Sequence, residues 1–233
     1  MFLHGMDNIL RQIAVSLVPI LIAVTFHEVA HGFVAYLQGD GTAKSMGRLT
    51  LNPIAHIDPF GTVLMPLALL VLTRGQFVFG YAKPVPINPY NFRNPRKGLA
   101  LSALAGPATN FILAVICGVL LTWVLVPLAG SVNPALVFRV LSPIGAMLRQ
   151  GIWVNLILAA FNLIPIPPLD GGRVLAGLLP SRQAYTFEKL ERYGFIIVIV
   201  LIATGLASYF ITPVMGILVA ILNIFTKGGV GGI

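Results

Sequence analysis

Charge is what this sequence has least of: 9% of its 233 residues are Asp, Glu, Lys or Arg, seven acids against fifteen bases. A water-soluble domain carries roughly a quarter of its residues as charges, so a soluble globular fold is excluded. Cysteine is limited to Cys117, which rules out an internal disulfide; lying in an apolar segment, it reads as a packing residue. Internal repeats, low-complexity runs and a separate soluble domain are also missing. The formal net charge of +8 would invite a nucleic-acid partner. The Lys and Arg residues, however, are confined to short loops between apolar segments, where they act as topology signals, so nucleic acid is discounted.

What is present is apolar: 57% hydrophobic residues and a mean hydropathy of +0.92, the composition of an integral membrane protein. Residues 9–38, 99–126 and 144–164 are each long enough for a hydrocarbon core of about 30 Å at roughly 1.5 Å per residue. Residues 194–226 would make a helix of about 50 Å, so a break is expected near Thr212 and Pro213. The stretch 60–73 contains Pro66 and is short, suiting a re-entrant or interfacial segment about as well as a crossing. Residues 77–90, FVFGYAKPVPINPY, are poor in helix signals and suggest short strands or a hairpin with one edge unpaired. The first apolar stretch is too long for a removable signal peptide and lacks a basic leader. The expected fold is therefore an all-α polytopic membrane protein with five to six transmembrane helices, a segment that re-enters or crosses, and a short β-hairpin-like loop. The tail 227–233, ending GGVGGI, is expected to be disordered.

Inside the first apolar stretch, residues 27–31 read HEVAH. A helix turns roughly 100° per residue, so His27 and His31 leave nearly the same face and can reach one metal. Glu28 lies about a quarter turn away. There it can touch a water at the metal without being a ligand, as a general base must. An ionisable residue near mid-membrane costs roughly 2.5–3.5 kcal/mol, and three polar groups share this turn, so something must compensate for them.

Two His leave a catalytic metal one protein ligand short. Asp170, in FNLIPIPPLDGGRVL, closely follows a spanning segment among helix-breaking residues, although a surface turn with a solvated Asp is the competing reading. Pro165, Pro167 and Pro168 prevent a regular helix, and Gly171 and Gly172 permit close backbone approach.

HEVAH on a spanning helix, AGPATN at 105–110 opening another and NLIPIPPLDGG at 162–172 closing a third resemble the site-2 protease family, the zinc intramembrane metalloproteases of peptidase family M50. GDGTAKSMGRLTLNPIAHIDPFGT and GYAKPVPINPYNFRNPRKG resemble its short bacterial members, which lack a PDZ or CBS domain. The resemblance implies one zinc per chain on His27, His31 and Asp170, with Glu28 as catalytic acid and base. It implies that Asn162 orients substrate or stabilises the oxyanion; an uncharged amide donor can do so without burying a charge. The core would span 1–193, and 194–226 would add apolar helical segments.

Several positions keep more than one reading. Asn110 either contacts substrate in a similar polar role or hydrogen-bonds helix to helix. His56 and Asp58 are a further metal ligand, a plug over the metal or a pair anchoring a loop. The segment 77–90, with Val78 and Tyr81, offers an edge to which an unwound substrate could add as a strand, since a helical substrate shields its own amides. Arg93, Arg96 and Lys97 read as an interfacial anchor.

With 60–73 re-entrant, loops 39–98 and 165–193 plus the C-terminus hold twelve Lys and Arg against three; with 60–73 crossing, the split is eleven to four. Both obey the positive-inside rule. The family orientation, outside to inside along the HEVAH helix and back out along the AGPATN helix, favours re-entry. The expected protein is thus a multi-pass cell-membrane endopeptidase whose site opens toward the cytoplasm, whose partners are transmembrane substrates and lipid. Its rivals are a polytopic metal transporter and an inactive scaffold of the same fold.

Overall fold

The computed structural model describes residues 2–72 and 80–227. The elements used below are α1 (Phe2–Leu37), α2 (Met65–Leu72), α3 (Pro95–Ala129), α4 (Pro134–Asn162), α5 (Asp170–Leu178), α6 (Ser181–Glu188), α7 (Gly194–Ala203) and α8 (Ala207–Thr226). Among the described residues there is no strand, and four helices, within α1, α3, α4 and α8, are long and apolar enough to cross a membrane. The short α2 and α7 account for the difference from five or six. Residues 80–88, expected as part of a hairpin, are irregular backbone without a ladder, and Val78 lies outside the described residues.

Helix starts follow one local rule. Asn52, Asp58, Asn88, Asn94 and Asn133 each precede a proline, and each side chain accepts a hydrogen bond from a backbone N–H of the turn that follows. The Asx side chain satisfies an orphan amide, and the proline has its φ preset and no N–H to satisfy. Two of these pairs open the long helices α3 and α4. The end of α1 is a Schellman turn: Gly39 sits at φ +110°, its N–H reaches Tyr36 O at 3.0 Å, and Asp40 N–H reaches Ala35 O at 2.9 Å.

The C-terminal break falls elsewhere than expected. It lies at Thr204–Leu206, where Gly205 adopts φ +74°, and Pro213 sits inside α8. A left-handed turn position requires glycine, whereas a proline in a spanning helix can be accommodated by neighbouring packing.

Small residues set the helix spacing. A Cβ at Gly151 of α4 would lie 3.0 Å from Cys117 Sγ of α3, and one at Gly118 would lie 2.9 Å from Thr226 of α8. Cys117 is therefore a packing residue at a helix crossing. Ala114, Leu121, Ile152, Leu156 and Leu222 form the core between α3, α4 and α8. A second cluster, Ile164, Leu169, Val198 and Ala207, seats the 163–169 loop on α7 and α8. The outer faces stay apolar: Ile13, Ile112, Ile157, Ile217 and Ile224 are all well exposed, as lipid contact requires.

The far end of α8 corrects the charge count. Trp123, near the end of α3 remote from Pro95, donates its indole N–H to Phe225 O at 3.0 Å, and the Lys227 ammonium lies 4.7 Å from the Trp123 ring. Lys227 therefore sits at the end of the bundle opposite the basic loops, so loops 39–98 and 165–193 alone hold eleven of the fifteen Lys and Arg.

Candidate metal centre

His27 and His31 lie one turn apart on α1, with their Nε2 atoms 3.0 Å from each other. Asp170, in the first turn of α5, brings Oδ2 to 3.2 Å from His27 Nε2 and 3.3 Å from His31 Nε2. All three residues are buried, and they form a group of metal-ligating type whose ligand atoms lie within 4.8 Å of one another. The start of a helix favours a carboxylate there.

The hydrogen bonds behind the rings fix the tautomers. His31 Nδ1 faces the Ser102 carbonyl at 2.7 Å, and a carbonyl only accepts, so Nδ1 carries the proton. His27 Nδ1 faces Asn110 Oδ1 at 2.5 Å, with the same consequence. Both Nε2 atoms therefore present bare lone pairs to each other and to a carboxylate oxygen that has no hydrogen-bond partner. Three acceptors crowded together without a proton repel; a cation between them removes the conflict. A tetrahedron with ligands about 2.0 Å from its centre has edges of about 3.3 Å, close to the three separations, so the residues fit a zinc ion.

Glycines make room for this cluster. A Cβ at Gly106, in AGPATN, would overlap the rings of both His31 and His27. One at Gly171 would meet the carbonyls of Leu163 and Ile164, and one at Gly172 the backbone of Ile166 and Pro167. The first turn of α5 can thus lie directly on the loop that precedes it.

The remaining expected residues divide into wall and scaffold. Glu28, Tyr81 and Asn162 line a cavity of 280 Å³ together with His27. Glu28 Oε2 accepts the Val85 N–H at 2.9 Å, and Asn162 gives one amide N–H to Leu158 O at 3.0 Å. Asn110 does not line this cavity; it is fully buried behind His27, so of its two expected uses the structure places it in hydrogen bonds from helix to helix and not on the cavity wall. His56 binds the Thr50 carbonyl at 2.8 Å through Nε2, and its own carbonyl accepts Lys83 N–H at 2.9 Å. Asp58 caps the turn at Pro59 by accepting from Phe60 and Gly61 amides. Both are loop anchors, and neither belongs to the metal-ligating group.

Residues 80–91 form a strap across the C-terminal end of α1. Tyr81 N–H binds Gly61 O at 3.0 Å, the Arg48 guanidinium binds Lys83 O at 2.8 Å, and the buried Asp40 carboxylate accepts from Asn88 N–H at 2.7 Å and Asn91 Nδ2 at 2.8 Å. Val85 rests on Gly32, where a Cβ would come within 2.7 Å of its side chain. Asp40, Gly32 and Gly106 were not singled out from the sequence. Gly32 directly follows HEVAH and Gly106 lies inside AGPATN, and their places in those motifs were the signals available for them.

A helical membrane protein with a buried His–His–Asp group beside a glutamate is of the metalloprotease type. The sequence comparisons make the assignment: residues 15–205 match the profile of Peptidase family M50, and the chain belongs to that family as a short member of the site-2 protease group. It is 42% identical to "Putative zinc metalloprotease YwhC" of Bacillus subtilis strain 168, over 85% of this chain and 84% of that one. It is 29% identical to "Putative zinc metalloprotease Rip2" of Mycolicibacterium smegmatis, over 79% of this chain and 64% of the relative. It is also 22% identical to "Zinc metalloprotease MJ0392" of Methanocaldococcus jannaschii, over 93% and 48%. No solved structure gives a significant match. The protein is a membrane metalloprotease with zinc as its metal.

Proposed function

We propose that this protein is an intramembrane endopeptidase that cuts peptide bonds within or beside transmembrane segments of membrane proteins, from a site opening toward the cytoplasmic side of the cell membrane. The observation that carries this reading is the cavity that holds His27, Glu28 and Asn162 on its wall within a bundle whose exterior is apolar. A site among lipid-facing helices is reached by substrates that are themselves in the membrane.

His27, His31 and Asp170 are the residues that would hold zinc, which when bound supplies Lewis acidity and makes water a stronger nucleophile near neutral pH. Glu28 takes the proton from the attacking water and returns it to the leaving amine. Val85 N–H holds one oxygen of Glu28, so the carboxylate keeps one orientation while the other oxygen serves the proton. Asn162 has a second amide N–H to offer a developing oxyanion; loss of one such donor costs about 100-fold in turnover. The strap lines the cavity through Gly80, Tyr81 and Ala82, so an unwound substrate would lie extended along it and replace its helical hydrogen bonds there.

On this reading the segment 60–73, of which residues 60–72 are described, re-enters the membrane. The chain that leaves at Pro59 is back beside Gly61 at Tyr81, which also accepts the Thr62 hydroxyl at 2.8 Å, too few residues later for two full crossings. With re-entry, both ends of 39–98 lie on the cytoplasmic side, where the positive charge is concentrated.

The direct test is Glu28→Gln, assayed for bound zinc and for hydrolysis of a transmembrane reporter in one preparation. Zinc should be retained and cleavage lost. Activity above a few per cent of the parent would remove Glu28 from the role of base.

A further inference from the structure

We infer that Asn155, in the C-terminal half of α4, is a positioning residue for the metal centre, acting on His27 through Asn110. The two amides form a buried chain linking three helices: His27 Nδ1 to Asn110 Oδ1 at 2.5 Å, Asn110 Nδ2 to Asn155 Oδ1 at 2.8 Å, and Asn155 Nδ2 to Gly151 O at 2.8 Å. Asn110 and Asn155 are 0% and 2% exposed, so no water replaces a lost partner.

The polarity of the chain is set at its far end. Gly151 O can only accept, so it holds the amide nitrogen of Asn155 and turns Oδ1 toward Asn110. That oxygen takes one N–H of Asn110, and Ala23 O takes the other at 3.1 Å. With both N–H groups committed, only Oδ1 of Asn110 can face His27, which must then protonate at Nδ1 and keep Nε2 bare for a metal. Ala23 lies on α1 one turn before His27, so it moves with that helix. Asn155 supplies the second hold that stops the Asn110 amide from pivoting. An amide chain also orients the ring without bringing another charge into the membrane interior, as a carboxylate partner would.

Residues that orient a ligand imidazole are typically worth 10–100-fold in metal affinity. The inference rests on the zinc centre and not on the protease reading, and its test uses no peptide. Zinc affinity is measured by chelator competition, and Co²⁺ absorption reports ligand geometry, for Asn155→Leu, Asn110→Ala and the double variant in detergent. Asn155→Leu keeps the side-chain volume; it should weaken zinc about 10-fold and alter the Co²⁺ bands. Asn155→Ala, which removes the same acceptor without adding bulk, carries the same expectation if the Leu variant does not fold. The double variant should bind zinc no more weakly than Asn110→Ala alone, because Asn155 acts only through Asn110. Unchanged zinc affinity with lowered thermal stability would overturn the inference and leave Asn155 as a helix cross-link. Multiplicative losses in the double variant would overturn it too, by showing that Asn155 acts on the site by another route.

Discussion

Gly106 of α3 faces the imidazole of His31 with no side chain between the helix backbone and the ring, and a Cβ there would overlap both His31 and His27. Neither ring can swing aside cheaply, since His31 is tied to the Ser102 carbonyl and His27 to Asn110. Ser102 also returns a hydrogen bond from its hydroxyl to His31 O at 2.9 Å, so α1 and α3 are locked at this level. Gly106→Ala should therefore weaken zinc by about 100-fold, the upper range for disturbed ligand orientation, while leaving the bundle folded. Zinc content after dialysis against a chelator, with helicity measured alongside, checks this; full occupancy would mean that the rings relocate without penalty.

How much of this was legible beforehand depended on the kind of contact. HEVAH could be read because the two histidines share one helix and its period fixes their face. Asp170 was nameable as a candidate because it stands in a proline-rich turn where few other acids exist. The partner of His27 was not legible as such: Asn110 is 83 residues away, and a buried amide looks the same in sequence whether it meets a substrate or a histidine. Gly205 and Pro213 show the same limit. Proline was the stronger sequence signal for a break, yet the packed helix absorbs Pro213 and the chain turns where a left-handed φ is needed. The strap was expected as strand from its lack of helix signals, but it is held by side chains such as Asp40 and Arg48 instead of by a ladder, which no alternation pattern announces.

Asp170→Ala should lower zinc affinity by at least about 100-fold, since two histidines on one helix would remain. The same substitution removes the carboxylate oxygen that lacks any hydrogen-bond partner, so the metal-free protein should be stabilised or unchanged in thermal unfolding. A metal-free variant clearly less stable than the metal-free parent would show that Asp170 serves the fold and not a cation.

Asp40 controls the strap. Burial by itself would raise its carboxyl, but hydrogen bonds from Thr42 and Asn91 and from the amides of Asn88 and Thr42 outweigh burial and hold it below its ordinary value of 3.8. A carboxyl held lower in the folded state than in the unfolded one adds stability that is complete above 3.8 and is lost as pH falls through the folded value. The strap should therefore stay docked at pH 7 and at pH 5 and loosen only below about pH 4. Asp40→Ala should free it at every pH, raising hydrogen exchange of amides 85–91 by about 10-fold or more and slowing cleavage while zinc binding stays unchanged. Unaltered exchange in that variant would transfer the anchoring to Arg48 and His56.

Topology can be tested with thiols because Cys117 is the one native cysteine. In a Cys117→Ala background, Thr42→Cys, Asn94→Cys and Arg182→Cys should all react with an impermeant reagent from the cytoplasmic side, whereas Lys227→Cys should react from the other. The first two bracket the segment proposed to re-enter, beside whose start Tyr81 N–H binds Gly61 O. The third reports the loop beyond Asp170. The last follows from the contact of Lys227 with Trp123 at the far end of α3, a pairing of cation and indole suited to the headgroup region. Labelling of Thr42→Cys and Asn94→Cys from opposite sides would make 60–73 a crossing and reverse α3 relative to α1. Since His31 and Ser102 exchange hydrogen bonds across those two helices, such a result would also break the His27, His31 and Asp170 site. Labelling of Lys227→Cys from the cytoplasm would instead detach only α8, leaving the His27, His31 and Asp170 cluster in place.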